Sequence, residues 1–154
     1  MPGRPRESAR RRVTVDTNLF VSGLIGRGAP HRLVRAWADG GFDLVLSAEL
    51  LSEVADVLRR PAIRDHYGVT EAQVRRLQRR LERLGDVVPA PEELPAGIAV
   101  RDPKDRHVLA AAIRGGAHYL VTGDQDLLAL RGRAGLGGLE IVSVNEFLGI
   151  AEVQ

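Results

Sequence analysis

Short, almost wholly apolar segments alternate along the chain with segments in which apolar residues recur every three or four positions. The short segments predict strands at residues 13–16, 43–47, 86–88, 118–123 and 139–144. The amphipathic segments predict helices at residues 17–25, 31–38, 48–59, 71–84, 103–114 and 124–130, and a last helix over NEFLGI. Because apolar strands that alternate with helices build parallel sheets covered on both faces, we expect an α/β fold with a central parallel sheet.

Side chains that cap helix N-termini precede four of the predicted helices. They are Ser47, Thr70 with Gln73, Asp102 before Pro103, and Ser143 with Glu146. Pro61 is expected to end the helix that follows Ser47. The segment PAPEELPAG at residues 89–97 has three prolines in nine residues and is expected to be a loop.

The chain of 154 residues fits one domain, which we place at residues 13–150. Residues 1–12 carry five Arg and one Glu, and we expect them to form a basic, disordered arm; 17 basic and 19 acidic residues follow it. The absence of cysteine from the sequence excludes disulfides, thiolate metal sites and a cysteine nucleophile. No apolar run approaches the roughly 18 residues of a membrane span, so we expect a cytoplasmic protein with no membrane contact.

Two aspartates stand where predicted strands end, at the edge of a parallel sheet where ligand sites form. Asp16 closes VTVD, and Asp124 follows YLVTG. Each also stands at the start of a predicted helix, where aspartate is a favoured N-cap. Either one alone is explained more simply as a cap, whereas two on different strands favour a functional site.

Two further carboxylates are selected by their positions on predicted helices. Glu49 and Glu53 lie one turn apart, but at about 100° per residue Glu53 borders the apolar arc while Glu49 faces further toward solvent. In RDPKDRHVLAAA, Asp102 fits the N-cap and has at most a supporting role. Asp105 shares a face with the apolar positions that follow it, so we expect Glu53 and Asp105 to reach the site.

Four carboxylates, with no cysteine and no histidines at paired ligand spacing, suit a hard cation such as Mg²⁺ or Mn²⁺. They are Asp16, Glu53, Asp105 and Asp124. Clustered carboxylates repel one another unless cations lie between them, and such cations assist phosphoryl transfer by activating water and stabilising the charged phosphate. The sequence therefore predicts a metal-dependent nuclease.

Four blocks of sequence, taken in order, resemble the PIN domain family, and within it the bacterial VapC-like toxins of toxin–antitoxin systems. The blocks are VDTN at 15–18, SAELLSEVADVL at 47–58, RDPKDRHVLAAA at 101–112 and YLVTGDQDLLAL at 119–130. The resemblance extends from Val13 to about Leu148. It implies a three-layer α/β/α sandwich around the parallel sheet.

The same resemblance implies an endoribonuclease that uses Mg²⁺ or Mn²⁺ and leaves 3′-hydroxyl and 5′-phosphate ends on the RNA. The family's metal ligands match the four carboxylates above, and its supporting positions match Asn18, Thr122 and Asp126. Toxins of this kind commonly form homodimers and are held inactive by a small antitoxin protein. The resemblance therefore implies two partners for this chain: a second copy of itself and a small antitoxin protein.

The predicted helix at 71–84 has a basic face opposite its apolar stripe. Its members are Arg75, Arg76, Arg79, Arg80 and Arg83. Such a face can neutralise RNA phosphates, and a solvated helix face explains the same pattern equally well.

Other classes of function are open from sequence. A non-catalytic PIN-like module would bind RNA or protein with idle carboxylates, and a PIN nuclease of RNA processing would act without an antitoxin. A haloacid-dehalogenase-type phosphatase also places Asp after a strand but requires a second Asp where Asn18 stands. A receiver domain requires a lysine late in the chain, and the only lysine is Lys104.

Overall fold

Five strands, all parallel to their neighbours, form the central sheet. The computed structural model describes residues 10–89 and 93–152. The strands are β1 (Arg12–Val15), β2 (Asp43–Leu46), β3 (Asp86–Val87), β4 (Tyr119–Val121) and β5 (Glu140–Val142). Their order across the sheet is β3-β2-β1-β4-β5, so every predicted strand is confirmed, and β3 lies at an edge as its short length suggests.

Consecutive residues of the inner strands are buried, and this burial shows that both faces of the sheet are covered. Val13, Thr14 and Val15 in β1 are all shielded from solvent, as are Leu120 and Val121 in β4. Since successive strand side chains point to opposite faces, the helices must form a layer on each side. The predicted three-layer α/β/α sandwich is confirmed.

Eight helices lie within the described residues. They are α1 (Thr17–Ile25), α2 (Ala29–Ala38), α3 (Ala48–Arg59), α4 (Pro61–Tyr67), α5 (Glu71–Leu84), α6 (Pro103–Arg114), α7 (Gln125–Leu128) and α8 (Val144–Glu152). The predicted caps of α3, α5, α6 and α8 are confirmed by their side-chain hydrogen bonds. Among these residues, no helix is both long and apolar enough to cross a membrane.

Helix α4 was not predicted from the sequence. Pro61 does follow the end of α3, as expected, but it also occupies the first turn of α4, where its fixed φ and missing N–H are tolerated. None of the residues of α4 is buried, so the helix has no apolar stripe that a periodicity argument can detect. Gly68 ends it in the left-handed conformation, with φ of 64°.

The start of β1 lies inside the predicted basic arm. Residues 1–9 of that arm are outside the described part of the chain, whereas Arg12 belongs to the strand. The Arg12 guanidinium lies 2.6 Å from a carboxylate oxygen of Asp86 and donates to the Gly115 carbonyl. These contacts tie the first strand to β3 and to the end of α6, so the sheet extends one residue further than apolar content indicates.

Gly23 allows helices α1 and α2 to approach closely. A Cβ atom at this position would overlap the Pro30 carbonyl oxygen and the Val34 side chain. We expect Gly23→Ala to lower the free energy of unfolding by about 1–3 kcal/mol, because the two helices must move apart. Gly149→Ala is the matched control: its Cβ meets nothing within 4 Å in α8, and helix propensity should raise stability by about 0.5–1 kcal/mol.

Urea denaturation of both variants measures these differences. Equal stability changes in the two variants would contradict the close approach of α1 and α2.

Candidate functional site

The carboxyl ends of β1 and β4 face a pocket of about 420 Å³. The chain passes from β1 outward to β2 and β3, then returns to β4 on the other side of β1, so the strand order reverses between β1 and β4. Ligand sites in open parallel sheets form at such a reversal. The lining consists of Asp16, Asn18, Leu19, Ser22, Glu53, Asp102, Lys104, Asp105, Gly123 and Asp124.

Asp16 follows β1 directly, but its side chain does not cap the helix that follows it. No capping hydrogen bond is formed by the Asp16 carboxylate at the start of α1. Instead the buried Thr122 hydroxyl donates to Asp16 Oδ2 at 2.8 Å, and the Asp124 backbone N–H donates to Thr122 Oγ1 at 3.0 Å. Asp16 therefore stands at the N-cap position of α1 without a side-chain capping hydrogen bond there, although the backbone N–H groups of Asn18 and Thr17 are close enough to lower the pKa of its carboxyl. Its carboxylate is oriented by the hydrogen bond from Thr122, just past the end of β4.

Asp124 both caps a helix and lines the pocket, the two roles that its position at the end of a strand suggests. Its Oδ1 atom accepts hydrogen bonds from the backbone N–H groups of Asp126 (2.8 Å) and Leu127 (3.1 Å), so it caps α7. The other carboxylate oxygen accepts no hydrogen bond from the described residues. One oxygen thus fixes the side chain while the other is available at the pocket.

Helices α3 and α6 supply the remaining acidic side chains. Glu53 is half-buried and lines the pocket, whereas Glu49, one turn earlier, is exposed and does not. Asp105 is buried, with an exposed fraction of 8%. Asp102 lines the pocket but accepts from the Lys104 backbone N–H at 2.9 Å, which confirms its predicted cap.

The crowding of carboxylates changes their protonation. Burial, followed by the nearby carboxylates of Asp124 and Asp102, raises the pKa of Asp105 to about 6. Burial also raises the pKa of Asp16, although the hydrogen bond from Thr122 acts in the opposite direction. The folded protein therefore holds negative charge here at a cost that a bound cation would relieve.

The raised pKa of Asp105 predicts a specific pH dependence of stability. From the ordinary range of aspartate up to about pH 6, the folded protein keeps a proton that the unfolded chain has lost, so unfolding free energy falls as pH rises. Above that interval the destabilisation is complete. In EDTA, Asp105→Asn should be more stable than the original protein by about 1–2 kcal/mol at neutral pH, with the difference vanishing in acid.

Urea denaturation of the two proteins across this pH range measures the difference. An unchanged difference between acid and neutral pH would contradict the raised pKa of Asp105.

Three of the acids come closest to one another. Asp105, Asp124 and Asp126 each offer one carboxylate oxygen, and these oxygens all lie within 4.8 Å of one another. Oxygen donors at such spacing fit a hard divalent cation. Asp126, expected only in a supporting position, is thus in the tightest group, while Asp16 and Glu53 line the pocket around it.

The predicted RNA-binding arginines are separate from this pocket. All five are exposed on α5, and none lines the acidic pocket. The Arg80 guanidinium lies 5.5 Å from the centre of the Trp37 ring, a cation–π contact that holds it against α2. The structure therefore brings together the predicted acids, whereas the predicted arginines stay outside the pocket lining.

Sequence reasoning assigned no role to Lys104, which also lines the pocket. The position of Lys104 in the sequence could have indicated this, because Lys104 immediately precedes Asp105 in the first turn of α6.

Comparison with known protein families gives one finding that covers most of the chain. The family model described as PIN domain matches residues 12–126. That span runs from the start of β1 into α7 and includes every acidic residue that lines the pocket. No curated protein matches the chain.

Proposed function

The chain belongs to the PIN domain family, and we propose on that basis that it is a metal-dependent endoribonuclease that hydrolyses RNA phosphodiester bonds. PIN domains are generally nucleases, and the group of Asp105, Asp124 and Asp126 has the spacing of a metal site. The observation that carries the proposal is the collection of acids from four separate segments into one pocket. Carboxylates collected in this way repel one another, and cations bound between them would relieve that repulsion and could hold a phosphate.

The proposed ligands of Mg²⁺ or Mn²⁺ are Asp16, Glu53, Asp105 and Asp124, with Asp126 adding a further oxygen. When bound, these cations lower the pKa of a water molecule and neutralise charge on the phosphate. In the hydrolysis proposed, the water oxygen loses a proton and bonds to phosphorus, the bond from phosphorus to O3′ breaks, and O3′ takes up a proton. The products are a 3′-hydroxyl and a 5′-phosphate.

The chain's own side chains orient the reacting groups. Thr122 holds one oxygen of Asp16, and the α7 backbone holds one oxygen of Asp124, so each acid presents its other oxygen from a fixed position. Asn18 lies in the first turn of α1 and supplies a neutral polar group to the pocket. Preorganised groups of this kind cost little reorganisation during reaction.

Cleavage of a labelled single-stranded RNA by the purified protein tests this proposal. We expect cutting with Mn²⁺ or Mg²⁺ and none with EDTA, with activity restored when the metal is returned in excess. Cutting that persists in EDTA would overturn the metal dependence. Binding of RNA without cutting, by protein to which metal binds measurably, would favour the non-catalytic module.

We propose that the basic face of α5 contacts RNA phosphates outside the pocket. At 1.5 Å per residue the face extends about 12 Å along the helix, and its arginines form no ion pair with a described residue. Arg75→Gln with Arg79→Gln should make the slope of log affinity against log salt shallower by about 1.4, or about 0.7 for each lost phosphate contact.

Fluorescence anisotropy in the Asp16→Asn background measures this slope without cleavage. The matched control is Arg32→Gln with Arg35→Gln, which removes two exposed arginines from α2. Equal changes in both double variants would mean that only net charge matters and would reject a specific RNA path on α5.

We also propose that the protein is the toxin of a type II toxin–antitoxin pair, acting in the cytoplasm as a homodimer. This proposal rests on the likeness of its sequence blocks to VapC-like toxins. Induced expression should arrest bacterial growth, and a small protein encoded beside it should restore growth and co-purify with it. Absence of any growth effect from a protein that cuts RNA would favour a role in RNA processing.

The molar mass of the purified protein, measured by light scattering, tests the proposed homodimer.

A further inference from the structure

Lys104 places a positive charge in a pocket made chiefly of acids. Among the described residues that line this pocket, it is the one cationic side chain, beside five carboxylates. It is also the only lysine of the sequence, whereas every other basic residue is arginine. An ammonium at this place needs an explanation beyond the general basic content of the chain.

The main chain of Lys104 is fixed, while its side chain has no hydrogen-bond or ion-pair partner among the described residues. Its backbone N–H donates to Asp102 Oδ1 at 2.9 Å in the first turn of α6. The ammonium forms no salt bridge within 4.0 Å with any residue of the described segments. The residue is exposed, so the flexible stem can turn toward a ligand in the pocket.

A free ammonium beside the acids opposes the binding of a second cation there. Positive charge near a metal site weakens metal binding by direct repulsion, so Lys104 partly offsets the carboxylate charge of the empty pocket but opposes a cation bound there. Once a phosphate enters, its non-bridging oxygens attract both the metal and the ammonium. A compact ammonium with rotatable donors suits such a point contact.

We propose that Lys104 is a substrate-binding residue whose ammonium donates to a non-bridging oxygen of the phosphate held at the acidic pocket. This inference rests on the proposed nuclease function for the identity of the substrate. The contact itself requires only a phosphate and not a bond-breaking step, so it can be measured apart from cleavage.

Calorimetric titration of the Mg²⁺-loaded protein with inorganic phosphate provides the first test. Lys104→Gln should weaken phosphate binding about tenfold, because a charge-assisted hydrogen bond is lost. Lys104→Arg, which keeps the charge, should stay within about threefold on the same reasoning. Arg101→Gln is the matched control, since it removes an exposed charge three positions earlier that does not line the pocket.

A second measurement separates a phosphate contact from a structural role. Mg²⁺ affinity without phosphate should be unchanged or tighter in Lys104→Gln, because a repelling charge has been removed. Weaker Mg²⁺ binding in that variant would overturn the inference. So would phosphate binding that is equal in the original protein and Lys104→Gln, or that is undetectable in the original protein.

RNA cleavage distinguishes failure of this inference from failure of the proposed function. If the original protein cuts RNA and Lys104→Gln cuts equally well, the inference fails while the nuclease stands. If the original protein cuts no RNA but loses phosphate affinity on Lys104→Gln substitution, the nuclease proposal fails while the phosphate contact stands.

Discussion

Replacing Asp16 with Asn is expected to lower the rate of Mn²⁺-dependent RNA cleavage by about 10²–10³-fold. A metal ligand supplies several kcal/mol of charge stabilisation to phosphoryl transfer, and each 1.36 kcal/mol corresponds to about tenfold in rate. The substitution removes one negative charge but keeps an oxygen that can accept the hydrogen bond from Thr122. The lower cleavage rate should therefore reflect the missing negative charge at the pocket and not local unfolding at the end of β1.

The raised pKa of Asp16 provides a check on folding. Because burial disfavours its charged form, Asp16→Asn should unfold at the same urea concentration as the original protein at neutral pH, or at a higher one. Asp56→Asn is the matched control, since it removes an exposed carboxylate of α3 that does not line the pocket. Cleavage by a well-folded Asp16→Asn protein at the original rate would remove Asp16 from the proposed site.

The second large effect is expected for Glu53 and not for its neighbour one turn earlier. Glu53→Gln should slow cleavage roughly 10²-fold, because it withdraws a carboxylate from the acidic pocket while keeping the size of the side chain. Glu49→Gln should leave the rate within about twofold, since exposed charges away from such a site act weakly. The two variants change the same atoms on the same helix, so their difference isolates position.

Initial rates over a range of Mn²⁺ concentrations measure this difference. If higher Mn²⁺ restores Glu53→Gln, Glu53 acts mainly in metal binding, whereas a loss that persists at saturation indicates a role in the chemical step. Equal rates for Glu53→Gln and Glu49→Gln would show that α3 supplies no working carboxylate.

Helix caps and strand positions were accessible from sequence because their causes lie within a few residues. The Thr70 hydroxyl accepts from the Gln73 backbone N–H, and the Ser143 hydroxyl accepts from that of Glu146, each three positions along the chain. The inward position of Glu53 followed from helix periodicity for the same reason. Local spacing thus determines both the element and the face on which a side chain lies.

Other features of the structure could not be recognised from residues close together in the sequence. Helix α4 has no fully buried residue, and only Ile63 packs partly against the core, so the helix lacks the apolar stripe that marks other helices. The same strand-to-helix position made Asp16 and Asp124 look equivalent, yet Asp124 caps its helix and Asp16 does not. Thr122, which directly follows β4 and lies 106 positions later in the chain, donates a hydrogen bond to one oxygen of Asp16.

The sequence by itself determined the order of the strands and of every helix except α4, the parallel α/β class, and the acidic residues that stand where elements begin or end. Helix periodicity and capping depend on residues only a few positions apart, so both can be recognised in the sequence. Only the tertiary structure decided that β1 lies beside β4, which places Asp16 near Thr122 and Asp124. It alone brought Asp126 into the tightest acidic group and Lys104 into the pocket. Distances between such residues depend on strand order and helix packing, which arise from many weak contacts across the whole core.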